Sequence, residues 1–460
     1  MDETHVVTVF LRHQSDVLLL RRSDQVGSYA GTWGAVAGHA EGDPDAAARE
    51  EIREETGLDP GIDVTPVRSG GSFPVADDDL GVRWIVHPYL FEANHRDVEP
   101  NRETETWEWV QPTVILRRET VPDLWRSYDA VRPTVDSVAT DREHGSAWLS
   151  LRALEVLRDE AALAVEGPAN RRDGPDGVTV DLLARARDLV AARPSMPVVR
   201  NRIDRAMARA LGADEGAPDS GSEGSPILAE AAAGGGSGTS AELAAAVEAA
   251  ADAVLARSHE VDGDAAAAAA ERVGGARVAT LSRSGTVLDA FREGAPEAVL
   301  VAESRPGREG VTVAEALAAE GLDVTLTGDA ALAAELAAWD ADLLLVGADA
   351  VLADGHVVNK VGTRGAAIVA RRVGVPVLVA AATDKVDPRG TTPAEVDREA
   401  GAMGPLYDGE ALLSTANPTF DVTPPDLVEA VLAEDGSLSP AEVAAVADEH
   451  RARAAWRTSE

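Results

Sequence analysis

The stretch GHAEGDPDAAAREEIREETGL, from Gly38 to Leu58, carries the clearest chemical pattern in this chain of 460 residues. Asp43 can cap the start of a helix, and Pro44 suits the first helical position, where its missing N–H group is no loss. Gly57 supplies the left-handed residue that commonly ends a helix. The stretch therefore predicts a helix that begins at Pro44 and ends just before Gly57.

Three carboxylates converge on one side of this helix. Glu51, Glu54 and Glu55 fall three and four residues apart, whereas Ala48 and Ile52 lie four apart on the face that would be buried. Like charges at this spacing repel, so a helix that keeps them together needs a cation as well as solvent. Hard divalent cations with oxygen ligands, Mg²⁺ above all, meet that need. The alternative interpretation is a solvated acidic face, which is common in so acidic a protein.

The order of the residues favours the metal site. REEIREETGL (49–58) resembles the second half of the Nudix box, the signature of Mg²⁺-dependent hydrolases that cleave nucleoside diphosphates linked to another group. VLLLRRS (17–23) resembles the strand before the box, and GTWGAVAG (31–38) resembles its lead-in. The resemblance implies an N-terminal Nudix α/β/α sandwich with a mixed sheet, and a Mg²⁺ or Mn²⁺ cofactor. It also implies that the three glutamates are both the metal ligands and the catalytic residues.

The box departs from the family pattern in two places. Its first half is two residues short between Gly38 and Glu51. Glu50 stands where the family usually has arginine, and Arg49 stands one place early, about 100° round the helix. These departures weaken the ion pair between loop and helix that normally shapes the box, but the metal ligands themselves are intact.

A further carboxylate can come from outside the box. ETETWEWV (103–110) alternates Trp107 and Trp109 to one side of a predicted strand and also carries Glu103 and Glu105. Either glutamate could reach the metal, and we assign Glu105 as the additional ligand; surface charge on an edge strand is an equally good interpretation. Most tryptophans of this region belong in the core, although one could stack on a nucleobase.

Composition limits the partners of the protein. The formal charge of -37 argues against nucleic-acid phosphate or an anionic membrane as a non-specific partner. The chain has no cysteine, which excludes disulfides, thiolate zinc sites and thiol nucleophiles. No run reaches the roughly 18 apolar residues that span a bilayer, and the acidic N-terminus is not typical of a signal peptide. We therefore expect a cytoplasmic protein that binds neither nucleic acid nor membranes directly.

Only two of the 42 lysines and arginines are lysines, Lys360 and Lys385. An acidic surface with arginine in place of lysine is typical of a halophilic protein, because molar salt screens the self-repulsion. A GC-rich genome would produce the same bias toward arginine.

The periodicity of apolar residues predicts the organisation of the chain. Early strands are predicted at 5–11, 16–22, 64–75 and 82–92, and a helical subdomain at 148–165, 178–192 and 198–211 with a mobile acidic loop at 212–240. Apolar runs at 276–281, 297–302, 322–327, 342–347 and 375–381 then alternate with helices, which indicates a doubly wound parallel (Rossmann-like) sheet and an α/β fold. We place the domains at 1–132, 133–272 and 273–460.

Ligands of such sheets bind at the carboxyl ends of the strands. The segments found there resemble the alpha, beta and delta regulatory subunits of translation initiation factor 2B, whose relatives include ribose-1,5-bisphosphate isomerase and methylthioribose-1-phosphate isomerase. The segments are LSRSG (281–285), ESRPGREG (303–310), GADAVLADGHVVNKVGTRG (347–365) and AATDKVDP (381–388), with ARPSMPVVRN (192–201) and NPTFDVTPPDLVEAVL (417–432) in support.

This second resemblance implies a sugar-phosphate site. Its ligand-binding residues would be Arg193, Ser282, Asp349, Asn359, Lys360 and Lys385. The isomerase branch uses a cysteine where Ser282 stands, and a serine hydroxyl is a far weaker acid than a thiol. Trp148 likewise stands where an arginine is expected. The domain should therefore bind a nucleotide or phosphosugar without isomerising it, and should form a homo-oligomer; a translation factor is a partner by family likeness only. The alternative is a regulatory or scaffold protein whose Nudix domain only binds.

The charge generates a first prediction. The folded protein should lose stability as KCl falls from molar to about 10 mM, because the screening length grows from about 3 Å to about 30 Å. Thermal melts across a KCl series measure the effect, and a melting temperature that is constant or rises at low salt would contradict the halophilic interpretation.

Overall fold

Helices and strands account for most of the residues that the computed structural model describes, which are 2–40, 42–166, 181–213, 237–401, 406–407 and 409–458. The chain divides into two units. The first comprises Met1–Thr134, Glu155–Arg185 and Ser237–Ala249, and the second comprises Val135–Leu154, Ala186–Gly236 and Ala250–Glu460. The α/β class expected from the sequence is confirmed. Within the described residues, no helix combines the length and the apolar character needed to cross a membrane.

The first unit is built on an eight-stranded sheet. Its elements are β1 (Asp2–His13), β2 (Asp16–Arg22), β3 (Trp33–Gly34), β4 (Val36–His39), α1 (Pro44–Thr56), β5 (Val64–Ser69), β6 (Phe73–Asp77), β7 (Val82–Ala93), β8 (Thr104–Val110) and α2 (Leu124–Asp129). The main path runs β3-β2-β1-β7-β5, while β4 pairs with β1, β6 with β7 and β8 with β2. The sheet is mixed, because β1 and β7 are parallel and the other pairs are antiparallel.

Apolar side chains cover both faces of this sheet. Val9 and Leu18 pack with Ala48 and Ile52 of α1, as the spacing of those two helical residues predicts. On the opposite face, Phe10, Val17 and Leu19 pack with side chains that include Leu124, Trp125 and Tyr128 from α2 and the residues beside it. We call the side that packs against α1 the α1 face. The single strand predicted at 64–75 is two strands, β5 and β6, with Gly70 and Gly71 between them.

The described residues between 135 and 273 are mainly helical, as the 3.6-residue spacing predicts. They are α3 (Val135–Thr140), α4 (Ser146–Glu166), α5 (Leu182–Ala192), α6 (Pro197–Ala210) and α7 (Ser237–Val273). Most of the predicted acidic loop at 212–240 lies outside the described residues, and α7 begins within its last four positions.

A seven-stranded sheet forms the centre of the second unit. The elements are β9 (Arg277–Leu281), α8 (Gly285–Gly294), β10 (Ala298–Ala302), α9 (Glu309–Ala319), β11 (Val324–Thr327), α10 (Asp329–Ala338), β12 (Leu343–Gly347), β13 (Ala350–Leu352), β14 (Val357–Lys360), α11 (Thr363–Val373), β15 (Val377–Ala380), β16 (Val386–Asp387), β17 (Phe420–Thr423), β18 (Ala430–Ala433), β19 (Gly436–Leu438) and α12 (Pro440–Arg453). The strand order is β11-β10-β9-β12-β15-β18-β19, and a smaller sheet has the order β16-β13-β14-β17.

The large sheet is parallel except for its last strand, β19. The chain proceeds outward in one direction from β9 and in the other from β12, so the strand order reverses between these two neighbours. Alternate strand residues enter two apolar clusters, one shared with α10, α11 and α12 and the other with α7, α8 and α9. Helices therefore cover both faces, and the cleft at the carboxyl ends of β9 and β12 is where such a sheet binds ligands.

Candidate functional site

Helix α1 begins and ends as its sequence predicts. Asp43 accepts hydrogen bonds at 3.1 Å from the backbone N–H groups of Asp45 and Ala46. Gly57 has φ 74°, and its N–H donates to the carbonyl oxygen of Arg53. These caps fix the register of α1, and the register decides which of its glutamates face the sheet.

Two of these glutamates lie against strand β4. A Cβ atom at Gly38 would stand only 1.6 Å from Oε1 of Glu51, so only glycine leaves room for this carboxylate at its present position. Glu55 is buried, and its Oε2 accepts a hydrogen bond of 3.3 Å from the backbone N–H of Ala37. The box glycine and the box helix are thus fitted to each other.

Burial and repulsion by neighbouring glutamates raise the pKa of both carboxyls. Burial raises the pKa of Glu55 to about 8 and repulsion by Glu51 adds to it, although the Ala37 N–H and Arg22 oppose the rise. Burial also raises the pKa of Glu51 to about 6, with repulsion by Glu54 and Glu103 in support. Negative charge is therefore concentrated here without a sufficient counter-charge from the protein.

Two glutamates at the start of β8 have different surroundings. Glu105 forms an ion pair with Arg21, with 3.0 Å between Oε2 and Nη1. Glu103 instead raises the pKa of both Glu51 and Glu55. Glu105, assigned from the sequence as the additional metal ligand, stays a prediction in that role. A β-bulge where β8 pairs with Arg21 and Arg22 shifts the strand register, and alternation in the sequence gives no sign of it.

The arginine of the box also has a different environment from the one the family pattern implies. The guanidinium carbon of Arg49 lies 5.9 Å from the centre of the Phe91 ring. Arg22, at the end of β2, is the arginine whose charge acts on Glu55. The displaced Arg49 is therefore accommodated on an aromatic ring, and a strand residue supplies positive charge near the carboxylates.

The donor set fits a hard divalent cation. Within the described part of the chain, no three histidine, aspartate or glutamate side chains form a ready-made metal cage. The carboxylates of Glu51 and Glu55 nevertheless offer oxygen ligands in a place where burial and repulsion by neighbouring glutamates raise their pKa. A bound cation would relieve that repulsion, and its binding would release protons.

A second group of predicted residues lies where the strand order of the large sheet reverses. Ser282 follows β9, and Asp349 follows β12. The two strand ends approach closely, since a Cβ atom at Gly347 would lie 2.5 Å from Oγ of Ser284. Ser282 has φ 65°, and its N–H donates a 2.6 Å hydrogen bond to Oγ of Ser304. This residue is therefore held in a left-handed conformation by its neighbours.

Asp349 and Lys385 form the charged centre of this site. Burial raises the pKa of Asp349, while the charges of Lys385 and Lys360 and a hydrogen bond from Ser146 lower it. Lys385 is 4% exposed, and its Nζ donates a 2.7 Å hydrogen bond to the carbonyl oxygen of Ala348. Burial lowers the pKa of Lys385 and the charge of Asp349 opposes that shift, so each group favours the ionised form of the other.

The other predicted residues lie around this centre. Lys360 forms an ion pair with Glu309, with 2.7 Å from Nζ to Oε1. Asn359, its neighbour on β14, donates a 3.0 Å hydrogen bond from Nδ2 to Oγ1 of Thr363. The structure thus brings both lysines of the chain into the field of Asp349, as the resemblance implies.

Arg193 is buried beside the same centre. Its Nη1 donates a 2.8 Å hydrogen bond to the carbonyl oxygen of Asp141, and its Nε has no hydrogen-bond partner among the described residues. Burial lowers the pKa of Arg193, whereas the charges of Glu399, Asp141 and Asp349 raise it. A buried guanidinium with an unused donor can bind an anionic oxygen.

Sequence reasoning missed three residues of this site: Ser146, Glu309 and Glu399. Each acts through a partner distant in the chain, so no local pattern could identify it. Trp148, which stands in the place of an expected arginine, stacks on the ring of His144 with 3.8 Å between centroids. The start of α4 therefore carries an aromatic pair where the resemblance implies an arginine.

Comparison with known proteins identifies two families along the chain. Residues 142–440 match the initiation factor 2 subunit family, and residues 2–131 match the NUDIX domain. The chain belongs to the initiation factor 2 subunit family. It carries a Nudix domain in front of the family domain, and Nudix domains generally use divalent metal ions.

Curated relatives of the family domain are isomerases. The chain is similar to ribose 1,5-bisphosphate isomerase of Haloferax volcanii, with 42% identity over 33% of this chain and 48% of that protein. It is also similar to the probable bifunctional methylthioribose-1-phosphate isomerase/methylthioribulose-1-phosphate dehydratase of Nocardia farcinica, with 41% identity over 35% of this chain and 31% of that protein. The chain spans about half the length, or less, of these curated relatives.

Solved structures resemble the same part of the chain. The 5-methylthioribose 1-phosphate isomerase of Pyrococcus horikoshii OT3 has a TM-score of 0.50 and 18% identity, and the likeness covers 69% of this chain and 86% of that one. The translation initiation factor eIF-2B of the same organism has a TM-score of 0.49 and 23% identity over 66% and 94% of the two chains. The first of these likenesses shows a shared fold.

The carboxylates of α1 generate a prediction about stability. Glu55 has its ordinary pKa of 4.5 in the unfolded chain and a pKa of about 8 in the folded one, so the folded metal-free protein binds more protons between these values. Its free energy of unfolding should therefore fall as pH rises from about 5 to 8. Glu55→Gln should weaken this dependence, whereas Glu119→Gln, at an exposed site, should not. Urea unfolding with EDTA at constant KCl tests this, and parallel pH profiles for the parent and Glu55→Gln would contradict it.

Proposed function

We propose that the Nudix domain hydrolyses the phosphoanhydride of a nucleoside diphosphate derivative with the help of Mg²⁺ or Mn²⁺. The observation that carries the proposal is the pair of Glu51 and Glu55, held together beside Gly38 despite their repulsion. Such an arrangement is unfavourable for the metal-free protein and favourable once a cation is bound. A structural role alone would not require it.

Named residues of the chain account for the steps of this hydrolysis. Glu51, Glu54 and Glu55 would hold the cation. When bound, the cation would neutralise the charge that develops on the anhydride oxygens. Glu103 lies outside the box and acts electrostatically on both Glu51 and Glu55. We assign to Glu103 the role of general base, which accepts the proton of the attacking water. A general base must lie close to the nucleophile and must not be held in an ion pair with another residue. Glu105 is a weaker candidate for either role because Arg21 already holds it.

For the family domain we propose binding of a phosphosugar or nucleotide without isomerisation. Three cationic side chains, Arg193, Lys360 and Lys385, surround Asp349, and two of them are buried. The curated relatives act on sugar phosphates by their names. Ser282 stands at the position of the thiol implied by the resemblance, and its hydroxyl is too weak an acid for the same proton transfer.

The alternative is a regulatory or scaffold protein, similar to initiation factor 2B, whose Nudix domain binds without turnover. The displaced Arg49 and the shortened box favour this alternative. We also propose that the family domain forms a homo-oligomer and that nucleic acid is not a direct partner. Turnover of any nucleoside diphosphate derivative decides between the two functions.

Hydrolysis should depend on the helix α1. A nucleotide-library screen in molar KCl with Mg²⁺ or Mn²⁺ should reveal at least one substrate, and Glu54→Gln or Glu55→Gln should lower its turnover by about a hundredfold or more. Glu119→Gln should keep the parent rate. If the α1 variants fold and hydrolyse at the parent rate, the box is not the catalyst; if the parent hydrolyses nothing, the binding-only alternative holds.

Ligand binding in the family domain should depend on its lysines. A pentose phosphate or nucleoside monophosphate should raise the melting temperature of the parent protein by mass action. Lys385→Ala should abolish this rise, and so should Lys360→Ala, which removes a less buried side chain and leaves the core intact. Arg372→Ala, an exposed cation on α11, is the matched control.

The same preparations test the absence of isomerisation. The purified parent protein should not interconvert ribose 1,5-bisphosphate and ribulose 1,5-bisphosphate. Interconversion that disappears in Ser282→Ala would overturn the binding-only assignment of this domain, since the serine would then move the proton.

A further inference from the structure

Trp107 differs from the other tryptophans of the protein. It exposes 44% of its surface, whereas the remaining seven are buried or half-buried, and the structure describes all eight. Most of those seven are also held by a hydrogen bond or by an arginine over the ring; examples are Trp84, Trp109 and Trp339. Nearly half of the Trp107 surface therefore remains in contact with water.

The register of the sheet fixes the side on which Trp107 lies. Trp107 is directly opposite Leu20 of β2, and Leu20 belongs to the cluster that packs against α1. Trp109, two residues further on, packs against the same cluster. Since directly paired residues of antiparallel strands share a face, Trp107 lies on the α1 face, the side that carries Glu51 and Glu55.

The same strands lead from the indole back to the carboxylates. Glu103 immediately precedes β8 and raises the pKa of Glu51 and Glu55. Arg22 is paired with Thr104 and its charge acts on Glu55. The carboxylates, the guanidinium of Arg22 and the ring of Trp107 therefore follow one another along β2 and β8. The separation of Glu103 and Trp107 is at most roughly 13 Å at about 3.3 Å per residue.

This order matches the parts of a nucleoside diphosphate. Its anhydride would lie at the carboxylates with their cation, its second phosphate near Arg22, and its base within reach of Trp107. We propose that Trp107 is the surface on which the base of the substrate stacks, so that the Nudix domain selects nucleoside derivatives over diphosphates that lack a base. The inference rests on the proposed hydrolysis for the position of the anhydride.

The chemistry of stacking explains what the residue would do. Contact between a base and an indole removes apolar surface of both from water, and it tolerates any base because every base has a π face. Trp107 would then strengthen binding of the nucleoside and leave the chemical step to the carboxylates. Its loss should raise KM and leave kcat unchanged.

Calorimetric titration in molar KCl with Mg²⁺ tests the inference with two probes, ADP and inorganic pyrophosphate. Trp107→Ala should weaken ADP binding by about tenfold or more, and Trp107→Phe should restore most of the loss. Pyrophosphate binding should be equal in all variants. Trp339→Phe, a half-buried tryptophan of the other unit, is the control and should bind both probes as the parent does.

The outcomes separate this inference from the proposed hydrolysis. Equal ADP binding by the parent and Trp107→Ala, or no ADP binding by the parent, would overturn the role of Trp107 even if hydrolysis is observed. Base-selective binding that depends on Trp107, in a protein that hydrolyses nothing, would support the role and reject the hydrolysis. A change of oligomeric state in Trp107→Ala with ADP binding unaffected would show that the indole lies in an interface between copies, and would also overturn it.

Discussion

Two carboxylates that are withdrawn from water and repelled by neighbouring glutamates are the constraint around which the first unit is arranged. Glu51 and Glu55 share one side of α1, and the caps of that helix and the absence of a side chain at Gly38 hold them against β4. Arg22 opposes the rise of the Glu55 pKa only in part, and the box arginine Arg49 lies over Phe91 instead. The electrostatic cost therefore remains in the metal-free protein. A bound cation would offset this cost, and that coupling would link metal affinity to pH and to folding.

In the second unit, by contrast, buried charges have partners of opposite charge. Burial alone would raise the pKa of Asp384, but Arg202, Arg205 and Arg257 lie within ion-pair distance and hold it well below the ordinary range. This aspartate precedes Lys385 in a short 3₁₀ turn, so the ion pairs of Asp384 anchor the backbone that carries the lysine. A buried lysine is costly unless its position is fixed and a partner is near. The neighbouring core supplies the position, and the carboxylate of the ligand site supplies the partner.

The sequence predicts those parts of the structure that depend on neighbouring residues. Parts that depend on contacts between distant residues could not be predicted from it. The limits of α1, the apolar strands of the large sheet and the convergence of the two lysines follow from caps, apolar runs and strand-end positions, and all are observed. The strands β3, β4, β13, β14, β16 and β17 are two to four residues long, too short for any periodicity to reveal. The sequence offered both Glu103 and Glu105 as a further carboxylate, and it gives no sign of the bulge in β8 that lies beside them. Partners such as Ser146 and Glu309 come from distant parts of the chain, and only the fold could identify them.

The charges of the second site also limit what can bind there. Lys360 is already paired with Glu309, and the charge of Glu399 already acts on Arg193. A phosphate ligand would therefore have to compete with these carboxylates for Lys360 and Arg193, because both cations are compensated in the unliganded protein. Lys385 differs, since its Nζ donates to a backbone carbonyl and leaves its other N–H groups for a ligand. Compact ammonium groups suit this exchange of partners, whereas a guanidinium would hold a carboxylate through two hydrogen bonds and release it less readily. That difference gives a chain with so few lysines a physical reason to keep both of them at this site.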